Sequence, residues 1–373
     1  MKLHSSSGRA GSLLLVAIFC ICRLGAQDLK PGFDSDEYLE MLRITARQVD
    51  SATRASFPVP KEYEMMFRSN AGPLDNRWEL WSNKSKSVIV ISIRGTTQKP
   101  VSWLENFYCA MIPATGSIQL NDSTHFTYKF ANDPKATVHV GWTIGLATMT
   151  PGITEKIKEY HSQHQTKQVI IVGHSQGGAL AFLLRSYLHY EMEAGSLPND
   201  LIIKNYNSAA PKPGNLYYGY DYDYITRNGW GFTIVNALDW VPETPFSLQT
   251  LRDFNNLNPF TDVKKQLKKQ SFLVRVYLSR AYGRMNRKSS KSQKVFTKYL
   301  GKTLGAQIKK AMPQLRQPDF SDNMNYTRAG VPIVLQPDTG YLKKYPDSGS
   351  HIFIHHGLWP YYLLTQKIYG KIP

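Results

Sequence analysis

The segment Gly173-His174-Ser175-Gln176-Gly177 sets a serine between glycines, directly after the β-branched run QVIIV (168–172) and before the small-residue run GALA (178–181). A hydroxyl on so sharp a strand-to-helix turn can act as a nucleophile, because small neighbours let it project without a clash. The other reading is an inert Gly-Ser turn. A serine nucleophile needs a general base, and the base needs a carboxylate that fixes its tautomer. Asp239 closes the apolar run GFTIVNAL (231–238) just before Trp240-Val241-Pro242. That is a carboxyl-terminal strand end, where catalytic groups of such sheets collect. A turn or helix-cap role is the plainer alternative. If the chain order is Ser, Asp, His, the base is one of the three later histidines, His351, His355 or His356. The chemistry of such a set is acyl transfer.

The elements that must position these residues follow from periodicity. DEYLEMLRITARQV (36–49) reads as an amphipathic helix. RWELWSN (77–83) and SVIVISIRGTT (87–97) read as a strand pair, the second carrying a continuous apolar run and so central. TVHVGWTIGLATM (137–149) is a short strand running into a helix that continues towards ITEKIKEYHSQH (153–164). QVIIVGH (168–174) is a strand, ALAFLLRSYLHYEMEA (179–194) a helix, and LIIKNYNSAAP (201–211) and GFTIVNALD (231–239) are strands. Strands alternating with helices predict an α/β fold, a mostly parallel central sheet with helices on both faces.

Five motifs in order, IRGTT (93–97), VHVGW (138–142), VGHSQGGALA (172–181), YNSAAPKPGN (206–215) and VNALDWVPETP (235–245), resemble the class 3 lipases, α/β-hydrolases that include fungal triacylglycerol lipases. The resemblance covers about residues 87–245, lapses, and resumes at HHGLWPYY (355–362). It implies an α/β-hydrolase fold and a lipase-like serine esterase, with Ser175 as nucleophile and Asp239 as acid. It further implies an oxyanion hole made by backbone N–H groups of Thr96 and Gln176. The family's last histidine often stands about five residues before a tyrosine. His356 with Tyr361 fits, and His355 is the fallback. The reaction implied needs no metal or organic cofactor. Phospholipase or short-chain esterase activity with the same triad is the runner-up, and a silent hydrolase fold that binds lipid or polyanion is the rival of another class.

Residues 1–26 carry basic residues, the apolar run SLLLVAIFCIC (12–22) and a small residue at Ala26, the pattern of a cleaved secretory signal peptide; a retained anchor is the alternative. The expected protein is therefore secreted or held at the periplasm or cell surface, with residues 27–373 as one hydrolase domain. Cys109 is the only cysteine after residue 26, so that domain forms no internal disulfide. The whole chain has 373 residues and a net charge of +17. Sixteen Lys and Arg and no Asp or Glu lie between Val263 and Gln317, so the basicity belongs to one segment.

That segment falls in an expected insertion, about residues 246–345, that is basic and helical. Phe296, Leu300, Leu304, Ile308 and Met312 recur at four-residue steps, with Lys294, Lys298 and Lys302 opposed across the helix. Val274, Leu278, Ala281 and Met285 repeat the apolar stripe. Either the stripes pack on the core while the lysines are merely solvated, or residues 263–317 dock on an anionic membrane surface. Nucleic acid is not an expected partner, since no recognition motif accompanies the charge.

Overall fold

The computed structural model describes residues 29–258, 267–268, 271–347 and 349–370. The signal-peptide reading of residues 1–26 and part of the basic segment lie outside the described residues. Seven strands form the central sheet in chain order: β1 Tyr63–Arg68, β2 Trp78–Asn83, β3 Val88–Ile93, β4 Gln168–His174, β5 Ile202–Ser208, β6 Gly231–Asn236 and β7 Val331–Leu335. The pairs β1–β2 and β2–β3 are antiparallel; from β3 to β7 every pair is parallel. This is the α/β-hydrolase arrangement, with a mixed edge on a mostly parallel sheet.

The sheet is covered on both faces, and its inner strands are buried at nearly every position. Ile89, Ile91, Ile93, Val169 and Ile171 point into one core, with the elbow helix Gln176–Glu193 and the helices Val140–Ala147 and Thr150–His164. Val88, Val90, Ile170 and Val172 point into the other, against the amino-terminal helix Ser35–Thr45 and the carboxyl-terminal helix Leu358–Tyr369. Successive strand residues face opposite sides, so a β-branched run fills two cores at once. Each fully buried Val or Ile contributes about 1.5–3 kcal/mol of transfer free energy. Asp34 caps the amino-terminal helix by accepting from the Asp36 and Glu37 N–H groups.

Three expectations change. The strand in TVHVGW, Thr137–His139, joins a small second sheet with Met111–Pro113, Gly214–Asn215 and Tyr326–Thr327, not the central one. The insertion expected over about 246–345 contains β7, which pairs parallel with β6 from Val331 to Leu335. Pro332 hid this strand from a sequence reading, and an edge strand tolerates the missing N–H. The helical body inside that span runs from Phe272 to Ala311.

The two apolar stripes of that body part company. Phe296, Ile308 and Met312 are buried, Phe296 beside Cys109, Met111 and Tyr326, and Ile308 and Met312 in the main core. In the basic helix Phe272–Thr297, however, only Gln293 and Phe296 are buried, and Val274 and Met285 of the second stripe are exposed. Lys294, Lys298 and Lys302 all face outward.

Candidate active site

The turn between β4 and the elbow helix is built by close approach of backbone. Ser175 has φ 60° and ψ −129°, a strained conformation for a residue with a Cβ. A Cβ at Gly173 would lie 2.1 Å from the Gly177 carbonyl, and one at Gly177 would lie 2.2 Å from the Ile93 oxygen. Both positions therefore require glycine, and Ser175 is left partly exposed at the carboxyl end of the sheet. Its N–H donates to the Ser208 carbonyl on β5, and its carbonyl accepts from the Gly178 and Ala179 N–H groups. The first N–H groups of a helix lack intrahelical partners, so the Gln176 N–H points out of the helix end with the positive pole of its dipole.

The loop after β3 brings Thr96 to the same place. Gly95 packs against the elbow, with its Cβ position 3.6 Å from Ser175 Cβ. Asn106 Nδ2 donates to Thr96 Oγ1 at 2.8 Å, and Trp142 Nε1 donates to Asn106 Oδ1 at 3.0 Å. Beside it, Thr97 Oγ1 and Lys99 Nζ donate to the Asp75 carboxylate, which Arg94 also pairs at 3.1 Å. The IRGTT and VHVGW motifs thus converge on one backbone position.

Asp239 and His356, 117 residues apart, meet. His356 Nδ1 donates to Asp239 Oδ2 at 2.7 Å, which leaves Nε2 free to take a proton. The same oxygen accepts from the Tyr361 hydroxyl at 2.8 Å, and Oδ1 accepts from the Val241 N–H at 3.0 Å. Burial pushes the Asp239 carboxyl upward, but the bonds from His356, Val241 and Tyr361 outweigh it and hold the group below the usual carboxylate range. His355, the fallback, turns the other way: its Nδ1 accepts from the Tyr341 hydroxyl at 2.8 Å, and its carbonyl accepts from Asn236 Nδ2. His351 is exposed and has no bond to Asp239.

One residue of the candidate site escaped the sequence reading. His174, immediately before Ser175, is buried and donates from Nε2 to the His356 carbonyl at 2.7 Å. Its Nδ1 accepts from the Ser208 hydroxyl, and the two imidazole rings lie 5.1 Å apart. Burial, with His356 nearby, pushes His174 down to about 3, so it is neutral. It joins the elbow to the loop that carries His356. The only signal was its place inside the motif, where any residue is permitted.

An apolar rim borders His356. Phe353 lies 5.9 Å from its ring, Trp240 lies 5.3 Å and Trp103 6.0 Å from Phe353, and Phe107 beyond Trp103 is half exposed.

Residues 90–249 match the family model for Lipase (class 3). A secreted mono- and diacylglycerol lipase of Malassezia restricta is 26% identical over 179 residues, 48% of this chain and 54% of the relative. The chain thus spans about half the length of the curated relatives it matches. Among solved structures, the Lip2 lipase of Yarrowia lipolytica aligns over 59% of this chain and 78% of its own, at 17% identity and a TM-score of 0.44. Lipase II of Rhizopus niveus aligns over 57% and 74%, at 20% identity and a TM-score of 0.40. The chain resembles the class 3 lipases, and its resemblance is concentrated in the half that carries Thr96, Ser175 and Asp239.

Proposed function

We propose that this protein hydrolyses carboxylic esters of lipids by acyl transfer, with Ser175 as nucleophile, His356 as base and Asp239 as the orienting carboxylate. The observation that carries the reading is the 2.7 Å pairing of His356 with Asp239 in a loop bonded to the residue before Ser175. His356 Nε2 takes the Ser175 proton as Oγ attacks the ester carbonyl, then returns it to the leaving alcohol. Water repeats the sequence on the acyl-enzyme. The N–H groups of Gln176 and Thr96 hold the oxyanion, where one donor is worth about 2.7–4 kcal/mol. The rim of Trp103, Trp240 and Phe353 suits an apolar acyl chain better than a small polar ester. The secreted Malassezia relative and the reading of residues 1–26 support export.

The test is a panel of acylglycerols, phospholipids and short-chain esters, run on wild type and Ser175→Ala with fluorophosphonate labelling. Acylglycerol turnover lost in the variant supports the reading. Preference for phospholipid or for short-chain ester alone moves it to the runner-up, and an unlabelled, inactive wild type leaves a lipid- or polyanion-binding fold.

The basic helix supports a second part of the proposal, docking on an anionic lipid surface. Phe272, Leu273, Val274 and Tyr277 are exposed at one end of a helix that bears no acidic residue. Each Lys or Arg near such a surface adds about 1 kcal/mol, and the attraction is screened beyond roughly 8 Å at physiological salt. Co-sedimentation with anionic vesicles should therefore fall with added salt, and neutral vesicles should bind weakly. Equal binding to both would make the segment a structural cap.

A further inference from the structure

Glu105 lies on the helix Pro100–Phe107, fully buried, and among the described residues no cation pairs with it. Its Oε2 accepts from Asn76 Nδ2 at 2.8 Å and from Gln176 Nε2 at 3.1 Å. Its Oε1 and the Asn76 Oδ1 are both buried and both without a hydrogen-bond partner. The two oxygens crowd one backbone position: a Cβ at Gly145 would meet Oε1 at 2.2 Å and Oδ1 at 2.7 Å. An amide beside a carboxyl offers one donor and one acceptor. Turning Asn76 over would only exchange which carboxyl oxygen meets the amide oxygen. As placed, two buried acceptors are left without a donor; turned over, the amide oxygen would take the place of the Nδ2 that lies 2.8 Å from Oε2, and a proton on the carboxyl supplies the missing donor.

We propose that Glu105 is a neutral carboxylic acid whose proton is donated to the Asn76 amide oxygen, and that in this form it is a positioning residue for Gln176. The second half rests on the oxyanion reading above; the first does not. Gln176 Nε2 also donates to the Ser102 carbonyl at 3.1 Å, and its Oε1 accepts from the Ser102 hydroxyl at 3.3 Å. The side chain is thus held to one helix by three contacts while its own N–H stays directed at the oxyanion. An ionised Glu105 would be a dry carboxylate with no countercharge, and burial accordingly pushes the group well above the usual carboxylate range. Among the described residues, none of the charged groups on the elements packed around it pairs with Glu105. Lys309 and Lys310 of the helix Leu304–Ala311, which packs on the Glu105 helix, are exposed, and Arg77, which follows Asn76, has Glu79 and Asp75 as its acidic neighbours. Asp75, next to Asn76, holds Arg94 and Lys99. His139, which starts the helix bearing Gly145, bonds the Asn106 carbonyl and is pushed down to about 3 by burial. The elbow helix presents Gln176.

Glu105→Gln separates the two protonation states by sign. A glutamine reproduces the acid's pattern, with its NH2 donating to Asn76 and its oxygen accepting from Asn76 and Gln176. Above about pH 4.3 the unfolded wild type releases a proton that the folded acid keeps, so folded wild type loses stability with rising pH until Glu105 itself ionises. The amide has no such slope. Glu105→Gln should therefore have the higher Tm at pH 8, by roughly 2 °C per pH unit of the interval, closing towards pH 4. Wild type should show an infrared protonated-carboxyl C=O band that the variant lacks. On a soluble ester Glu105→Gln should keep kcat within about twofold, whereas Glu105→Leu, which cannot bond Gln176, should lower kcat about tenfold or more at unchanged KM. A variant less stable than wild type at pH 8 and matched to it in acid, or a missing band, would overturn the neutral acid. Unchanged kcat in Glu105→Leu would overturn the positioning role. The Tm pattern and the band in a chain that never labels at Ser175 would uphold the neutral acid and reject the hydrolase reading instead.

Discussion

The elbow helix Gln176–Glu193 buries 13 of its 18 residues; the basic helix Phe272–Thr297 buries two of its 26. Both carry apolar residues at helical spacing, so periodicity alone does not decide which helix is inside. The difference lies in what flanks the stripes. The elbow helix opens with Gly177, Gly178, Ala179 and Ala181, which let its backbone approach the sheet closely, and its apolar residues occur on all sides. The basic helix spaces its apolar residues among arginines and lysines whose charges must stay in water. It is anchored at its carboxyl-terminal end, through Phe296 and the following Ile308 and Met312, and at the other end Phe272, Leu273, Val274 and Tyr277 are exposed.

The sharpest way to break this contrast is to attack the chemistry that the elbow holds. Ser175→Ala should lower ester hydrolysis about 10⁶-fold and abolish phosphonate labelling, with the Tm little changed. Labelling that persists would remove the elbow from the mechanism. His356→Ala should cost nearly as much and Asp239→Asn about 10⁴-fold, while His355→Ala keeps most activity. The reverse ranking of the two histidines would move the base by one residue.

Stability should divide the same two regions. Leu184→Ala, in the elbow helix and fully buried, should cost about 2–5 kcal/mol in denaturant unfolding, and Leu273→Ala, exposed on the basic helix, within about 0.5 kcal/mol. Equal costs would mean that the basic helix is packed against something in solution.

Acid should unsettle the site before it touches the basic helix, which has no carboxylate to protonate. The Asp239 carboxyl is held below its ordinary range in the folded protein. Its contribution is therefore complete above about pH 4 and is lost as pH falls through the lowered folded value. Unfolding midpoints followed from pH 6 to pH 2 should fall less steeply in Asp239→Asn than in wild type; parallel curves would deny the carboxylate this role.

The mildest intervention is charge reversal on the free face. Lys294, Lys298 and Lys302 changed together to Glu should remove the preference for anionic vesicles and leave hydrolysis of a soluble short-chain ester unchanged within about twofold. A loss of soluble-ester activity would couple the two regions that the contrast separates.

Ser175 and Asp239 could be nominated as candidates from the sequence because each is marked by its immediate neighbours: a sharp strand-to-helix turn needs glycines beside it, and an acid at a strand end follows its apolar run. The β-branched runs at 88–91 and 169–172 declared a central sheet because a continuous apolar run suits a strand buried on both faces. Tertiary structure decided what lies between distant segments. It paired His356, and not the adjacent His355, with Asp239, since neighbouring loop residues point to different partners, Asp239 and Tyr341. It recruited Pro332 into an edge strand, tied His174 to the His356 loop, and enclosed Glu105 between Asn76 and Gln176. Each of those outcomes depends on contacts across 14 to 182 residues of chain, with no local periodicity to announce them.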